Sequence, residues 1–161
     1  TRNRAVLLTG SGWDDATSAS SFAWTSGAAQ TWPNGNGAGV SVAVLDTGVS
    51  RVNDLASHLM NGPDLSGENQ NTVDSYGHGT FMAGIIAGNG ADSQPTPRTG
   101  VAPGATIISV KVAGANGATD VSTVLAGLSW VGAFTKDCKI KVLSLSWGVP
   151  STQNPRNDTL N

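Results

Sequence analysis

Apolar positions along the chain gather into short blocks separated by glycine- and asparagine-rich stretches, and the blocks differ in period. Val40-Ser41-Val42-Ala43-Val44-Leu45 is mostly apolar and rich in β-branched residues, with Gly39 before it and Asp46 after it. That pattern predicts an interior strand. Ala105 to Val112 and Lys139 to Leu145 predict two more. Between the first two strands, His78 to Gly88 is a run of small and apolar residues that predicts a buried helix. Its glycines are costly in a free helix, so close packing on a sheet must compensate. Between the second and third strands, Asp120 is a candidate N-cap for a helix through Phe134. Val121, Val124, Leu125, Leu128 and Val131 form its expected apolar face.

Strand, helix, strand, helix, strand with right-handed crossovers predicts an α/β fold: a parallel sheet with helices on both faces. The remaining segments read as connections. Residues 1–39 are weakly periodic, and residues 1–21 are expected to be an N-terminal extension or linker, with Val6-Leu7-Leu8 as a short strand. Ser21 to Trp32 is expected to hold one short helix, and Trp32 to Gly37 is an entry loop dense in turn formers. Residues 49–77 read as surface loop with a turn at Asn61-Gly62-Pro63-Asp64, and Asn89 to Gly100 as a polar loop. Val149 to Asn161 is polar and begins no further element, so the sheet is expected to be incomplete in this chain, with an unpaired edge.

Composition narrows the function classes. A formal net charge of −2 over 161 residues gives no electrostatic case for nucleic acid or an anionic membrane surface. No stretch reaches the length of a transmembrane helix, and residues 1–20 lack an apolar signal core. Thr1 is not a natural start, which implies processing or trimming upstream. Cys138 stands alone, so it reads either as a small buried apolar residue or as a bridge to another chain. Asn157-Asp158-Thr159 fits a glycosylation sequon, relevant only in a eukaryotic secretory setting. Few lysines and many Ser, Thr and Asn residues agree with an extracellular location.

Open parallel sheets carry their sites beyond the carboxyl ends of the strands. Asp46 directly follows the first strand, and Ser146-Trp147-Gly148 follows the third. His78 starts a helix, where the positive dipole end disfavours an imidazolium unless a carboxylate offsets it. An Asp–His pair there could activate a hydroxyl as general base and then protonate a leaving amine. Taken singly, Asp46 is also consistent with a strand-end polar residue or with the Asp-Thr-Gly of aspartic proteases, in which two carboxylates share a proton. His58 falls in loop and is expected to be solvated; a metal site from His58, His78 and Asp46 lacks spacing support.

At these residues the chain resembles the subtilisin-like serine proteases. Val42-Ala43-Val44-Leu45-Asp46-Thr47-Gly48, Gly77-His78-Gly79-Thr80 and Gly100-Val101-Ala102-Pro103-Gly104-Ala105 are similar to successive blocks of that family. Val112-Ala113-Gly114-Ala115-Asn116-Gly117 and Ser146-Trp147-Gly148 continue the series, which covers about residues 22 to 148. The Ser-Trp-Gly form is similar to the kexin and furin group. The resemblance implies that residues 22–161 are the N-terminal portion of a catalytic domain. It implies Asp46 as triad acid, His78 as general base, and Gly117-Ala118-Thr119 as one backbone edge for an extended substrate. Ser146-Trp147-Gly148 would be the opposite edge, with Trp147 a candidate substrate-lining residue. Trp13, Trp24, Trp32 and Trp130 are expected to be structural.

The departures are as informative. The family's nucleophilic serine lies in a Gly-Thr-Ser segment, and no Gly-Thr-Ser occurs here. Its oxyanion asparagine also lies beyond the block matching Ser146 to Gly148. Asn89 is no substitute, because it is eleven positions after His78, about 16 Å along a continuous helix. Ser144 and Ser146 lie in no nucleophile elbow and read as strand-end residues. Calcium commonly stabilises the family, but its usual loop pattern is not recognisable in Asn89 to Gly100. Asn89 and Asp92 could bind a structural calcium ion but read first as ordinary loop residues, and no cofactor is required. Three readings are open: half of a nicked protease, an inactive truncated product, or a pseudoenzyme that keeps a peptide-binding groove. The first is preferred: a serine endopeptidase acting on peptide or protein substrates. Its C-terminal fragment would carry the nucleophilic Ser and the oxyanion Asn.

Overall fold

The computed structural model describes residues 21–70 and 72–148. The expected strand at Val6 to Leu8, the polar segment from Val149 and the sequon at Asn157 lie outside the described residues. The elements are α1 Ser21–Thr25, α2 Ala28–Thr31, β1 Ser41–Asp46, β2 Leu59–Asp64, α3 His78–Ala87, β3 Thr106–Lys111, α4 Val121–Phe134 and β4 Ile140–Leu145. A short 3₁₀ turn, Ala91–Ser93, interrupts the loop after α3. The strands form one sheet in the order β2-β3-β1-β4, and every pairing is parallel.

β1 is the interior strand that its apolar run predicts, with all six residues buried. Alternation sends its side chains to opposite faces. Val42 and Val44 pack with Ile107, Leu59, Ala83 and Ala87 under α3. Ala43 and Leu45 pack with Ile108, Val110 and Val131 under α4. Helices therefore cover both faces, as expected. The small residues of α3 let it approach closely, since Ala83 and Ala87 are wholly buried against the sheet.

Several expectations need correction. The supposed turn in the 49–77 loop is β2, whose Leu59-Met60-Asn61 pairs with Ile107-Ile108-Ser109 of β3. Pro63 is tolerated because β2 is an edge strand, and the ladder register shifts between Asn61 and Asp64. Ser21 to Trp32 forms two short helices rather than one. On α4 the sheet-facing stripe is Val124, Gly127 and Val131, while Val121 and Leu125 are exposed. Gly127 is part of that stripe because an added Cβ would lie 3.0 Å from both Leu45 Cδ2 and Val112 Cγ1. Asp120 holds the N-cap position but makes no side-chain capping bond.

Trp24 and Trp32 meet edge to face at 6.3 Å, Trp32 Nε1 donates to the Val101 carbonyl, and Trp130 stacks on Phe134. Cys138 is a half-buried free thiol packed against the α4-side core. β4 contrasts with β1. It buries Ile140, but Val142, Leu143 and Leu145 stay exposed.

Candidate active site

The carboxyl end of β1 lies between the exits of its two neighbouring strands. The Asp46 carbonyl accepts the N–H groups of Val112 (2.8 Å) and Ala113 (3.3 Å), tying the exit of β3 to that of β1. On the other side, β4 pairs in register with β1 from Val42–Val142 to Leu45–Leu145 and releases Ser146-Trp147-Gly148. α3 brings His78, its first residue, down onto this edge. Glycine at position 79 permits this approach, since a Cβ there would run into the Gly48 carbonyl and approach Asp46 Cβ to 3.1 Å.

That contact sets the acid and the base side by side. His78 Nδ1 donates to Asp46, 2.8 Å from Oδ1 and 3.0 Å from Oδ2. The Asp46 side chain is 4% exposed and that of His78 is 38% exposed. A buried carboxylate needs partners, and Asp46 Oδ1 takes a second one, the Thr47 N–H at 2.8 Å. With Nδ1 engaged, Nε2 is the nitrogen left to exchange a proton with an incoming group. The buried acid fixes the tautomer and orientation of the imidazole, which is the geometry that general-base chemistry requires.

The loop before α3 supplies a further carboxylate. Asp74 Oδ1 accepts the Thr47 hydroxyl (2.7 Å) and the Gly77 N–H (2.8 Å), while Oδ2 accepts the N–H (2.8 Å) and hydroxyl (2.7 Å) of Thr80. Desolvation works to raise the Asp74 carboxyl, but these four hydrogen bonds outweigh it and hold the group below its ordinary value. Deeper in, Lys111 is wholly buried at the end of β3, pairing with Glu68 Oε2 at 2.9 Å and donating to the Val73 carbonyl at 2.8 Å. The other Glu68 oxygen accepts the Ala115 N–H at 2.7 Å, so this ion pair anchors the segment leading to Gly117. Hydrogen bonding to Lys111 and Ala115 lowers the Glu68 carboxyl.

A cleft of about 290 Å³ opens over the pair. Gly117, Thr119, Ser146, Trp147 and Gly148 line it, together with Asp46 and His78. Ala118, expected with them, does not line it, and its N–H turns back to Asn116 Oδ1 at 3.0 Å. Residues 118–120 belong to no strand. Tyr76 forms one wall, with its ring so close to Gly117 that a Cβ there would meet it at 2.8 Å. Gly117 also has φ +71°, which side-chain-bearing residues rarely adopt. Trp147 Nε1 is buried without a protein partner among the described residues.

Other sequence candidates fall elsewhere. His58 is not simply solvated: Nε2 donates to the Ala87 carbonyl at 2.8 Å and Nδ1 lies 3.0 Å from Ser57 Oγ, fastening the start of β2 to the end of α3. Asn89 Oδ1 accepts the Ala91 N–H, and Asp92 Oδ1 accepts from Asn53 Nδ2. Those two side chains serve separate local bonds. Among the described residues no group of three or more His, Cys, Asp or Glu side chains is placed to hold a metal. Sequence reasoning assigned no role to Thr47, Asp74, Tyr76, Glu68 or Lys111. The one available signal was Asp74 itself, an acid just upstream of a helix start.

The comparisons with known proteins agree with this geometry. The model of the subtilase family matches residues 37–161. Subtilisin Savinase of Lederbergia lenta is 42% identical over 115 residues, covering 71% of this chain and 39% of that protein. Minor extracellular protease Epr of Bacillus subtilis (strain 168) is 32% identical over 133 residues, covering 82% of this chain and 19% of Epr. The crystal structure of a cold adapted subtilisin-like serine proteinase aligns with TM-score 0.54 and 32% identity, over 62% of this chain and 34% of that one. The chain thus spans well under half the length of these relatives. With the parallel sheet, the edge-mounted Asp–His pair and the matching family model taken together, the chain belongs to the subtilase family.

Proposed function

We propose that the protein is a serine endopeptidase in which Asp46 and His78 are two members of the catalytic triad. The observation that carries this reading is the buried-acid, half-exposed-base pair at the carboxyl edge of the sheet. Asp46 holds the imidazole and stabilises its protonated form; His78 accepts the proton of the attacking hydroxyl and returns it to the leaving amine. An extended peptide lies between the Gly117–Thr119 segment and Ser146–Gly148, where main-chain bonds supply affinity and side-chain pockets supply preference. No cofactor enters this chemistry.

Among the described residues no serine hydroxyl bonds the His78 ring, so the nucleophile and the oxyanion-stabilising asparagine are assigned to a companion C-terminal polypeptide. The exposed Val142, Leu143 and Leu145 of β4 support that assignment, because an apolar edge strand is a template for further pairing. An extracellular location accords with the similarity to Epr, a minor extracellular protease by name. No helix among the described residues is long and apolar enough to cross a membrane.

Fluorophosphonate labelling followed by intact-mass analysis tests this reading. The expected result is label on the companion polypeptide and none on the 16.3 kDa chain. A labelled serine on the 16.3 kDa chain itself would overturn the division of the triad. Absence of any label with peptide binding intact would replace the protease with a binding module.

A further inference from the structure

We propose that Asp74 is a positioning residue for the Asp46–His78 pair, acting through the single hydroxyl proton of Thr47. The proposal rests on the catalytic reading of that pair. Thr47 Oγ1 has two acceptors in reach, Asp74 Oδ1 at 2.7 Å and Asp46 Oδ1 at 3.3 Å, and one proton to give. The shorter contact with a charged acceptor takes it. The same oxygen then accepts the Gly79 N–H at 3.0 Å, beside the base. Asp74 thereby keeps Thr47 from donating to the acid and leaves Asp46 Oδ1 to the Thr47 N–H and His78 Nδ1. It also grips the first turn of α3 through both donors of Thr80, while its own N–H is held by Ser50 Oγ at 3.0 Å. One carboxylate therefore fixes the acid's loop and the base's helix to each other. The neighbouring charges are otherwise committed, since Lys111 is paired with Glu68.

Asp74→Asn keeps the shape, but with its amide oxygen on the two Thr80 donors it turns an N–H donor toward Thr47 Oγ1, so the Thr47 hydroxyl turns to Asp46 Oδ1 and competes with the histidine. In the 161-residue chain, the Nδ1–H proton resonance of His78 should move upfield in Asp74→Asn and in Asp74→Asn/Thr47→Ser. It should not move when Asp74→Asn is placed in the Thr47→Val background, which has no hydroxyl to turn. In the assembled protease, Asp74→Asn should lower kcat about tenfold with KM within about twofold. Asp64→Asn, which removes a comparable loop carboxylate bonded to Ser66 and Gln70, should change neither. If Asp74→Asn does not fold, Thr47→Ser and Thr47→Val decide the matter: serine should hold kcat within about twofold and valine should lose about tenfold. An unmoved resonance in Asp74→Asn, the same shift with and without the Thr47 hydroxyl, or equal kcat for the two Thr47 variants overturns the proposal. The resonance needs no turnover, so an assembled protein in which no polypeptide labels with fluorophosphonate removes the catalytic reading while leaving the role of Asp74 decided.

Discussion

Two glycines of the same helix should respond to alanine in opposite directions. Gly79 is buried, and a Cβ on it meets backbone on the far side, with Gly48 C at 3.2 Å and Asp46 Cβ at 3.1 Å. Neither neighbour is the end of a flexible side chain, so α3 itself must move. Overpacking of this kind costs about 1–3 kcal/mol, offset in part by alanine's helix propensity of up to about 1 kcal/mol. Gly84, five residues on, has nothing within 4 Å of an added Cβ. There the substitution only restricts the unfolded chain and should stabilise by about 0.5–1 kcal/mol. The gain from replacing glycine is common to both variants, so they should differ by the overpacking cost of about 1–3 kcal/mol, or roughly 2–12 °C in Tm for a domain of this size. Thermal unfolding followed by tryptophan fluorescence reads the difference. Gly79→Ala should also displace His78 from Asp46, and a shift of about 1 Å costs about 100-fold in turnover. A Gly79→Ala protein as stable as Gly84→Ala, or more stable, would refute the packing argument.

Further outcomes are expected from the same contacts. Gly117→Ala should raise KM for peptides about tenfold, by strain at φ +71° and by pushing Tyr76 into the cleft; Tyr76→Ala should recover part of that loss in steady-state assays. The Asp74 carboxyl is lower in the folded than in the unfolded chain, so its stabilisation is present above the unfolded value of about 3.9 and lost as pH falls through the folded value. Urea midpoints measured from pH 5 downwards should fall less steeply for Asp74→Asn than for wild type. Asp120→Ala should cost under about 0.5 kcal/mol rather than the usual ~1, because Asp120 makes no capping bond; a larger drop in the urea midpoint would contradict the structure.

Five of the eight α and β elements were legible because their sequences carry one dominant constraint. β1 reads as apolar throughout since it is buried throughout, and α4 has a clear N-terminal boundary at Asp120. β2 was not legible. Its Asn61-Gly62-Pro63-Asp64 is turn chemistry, and it is extended only because β3 offers a neighbouring ladder and Gly62 lets the strand lie close to the Ser109 carbonyl. The exposed Leu125 of α4 shows a related limit: periodicity names a stripe, but the contact with Leu45 and Val112 chooses Gly127 as its centre. Asp46 and His78 stood out because each sits at an element boundary between recognisable neighbours. Asp74 and Lys111 did not, because their meaning lies in hydrogen bonds to residues distant along the chain, such as Thr47 and Val73.

The strand order also sets a timetable. Ser41 pairs with Thr106 on one side and with Ile140 on the other, so β1 gains its neighbours only after long stretches of chain have been made. At ordinary translation speeds, on the order of 5–20 residues per second, roughly 5–20 s separate synthesis of β1 from synthesis of β4. Such long-range pairing is slow to form and leaves apolar strands open to wrong partners meanwhile. For about the last two thirds of that interval the acid and base already exist in one polypeptide, yet the sheet that completes their setting does not.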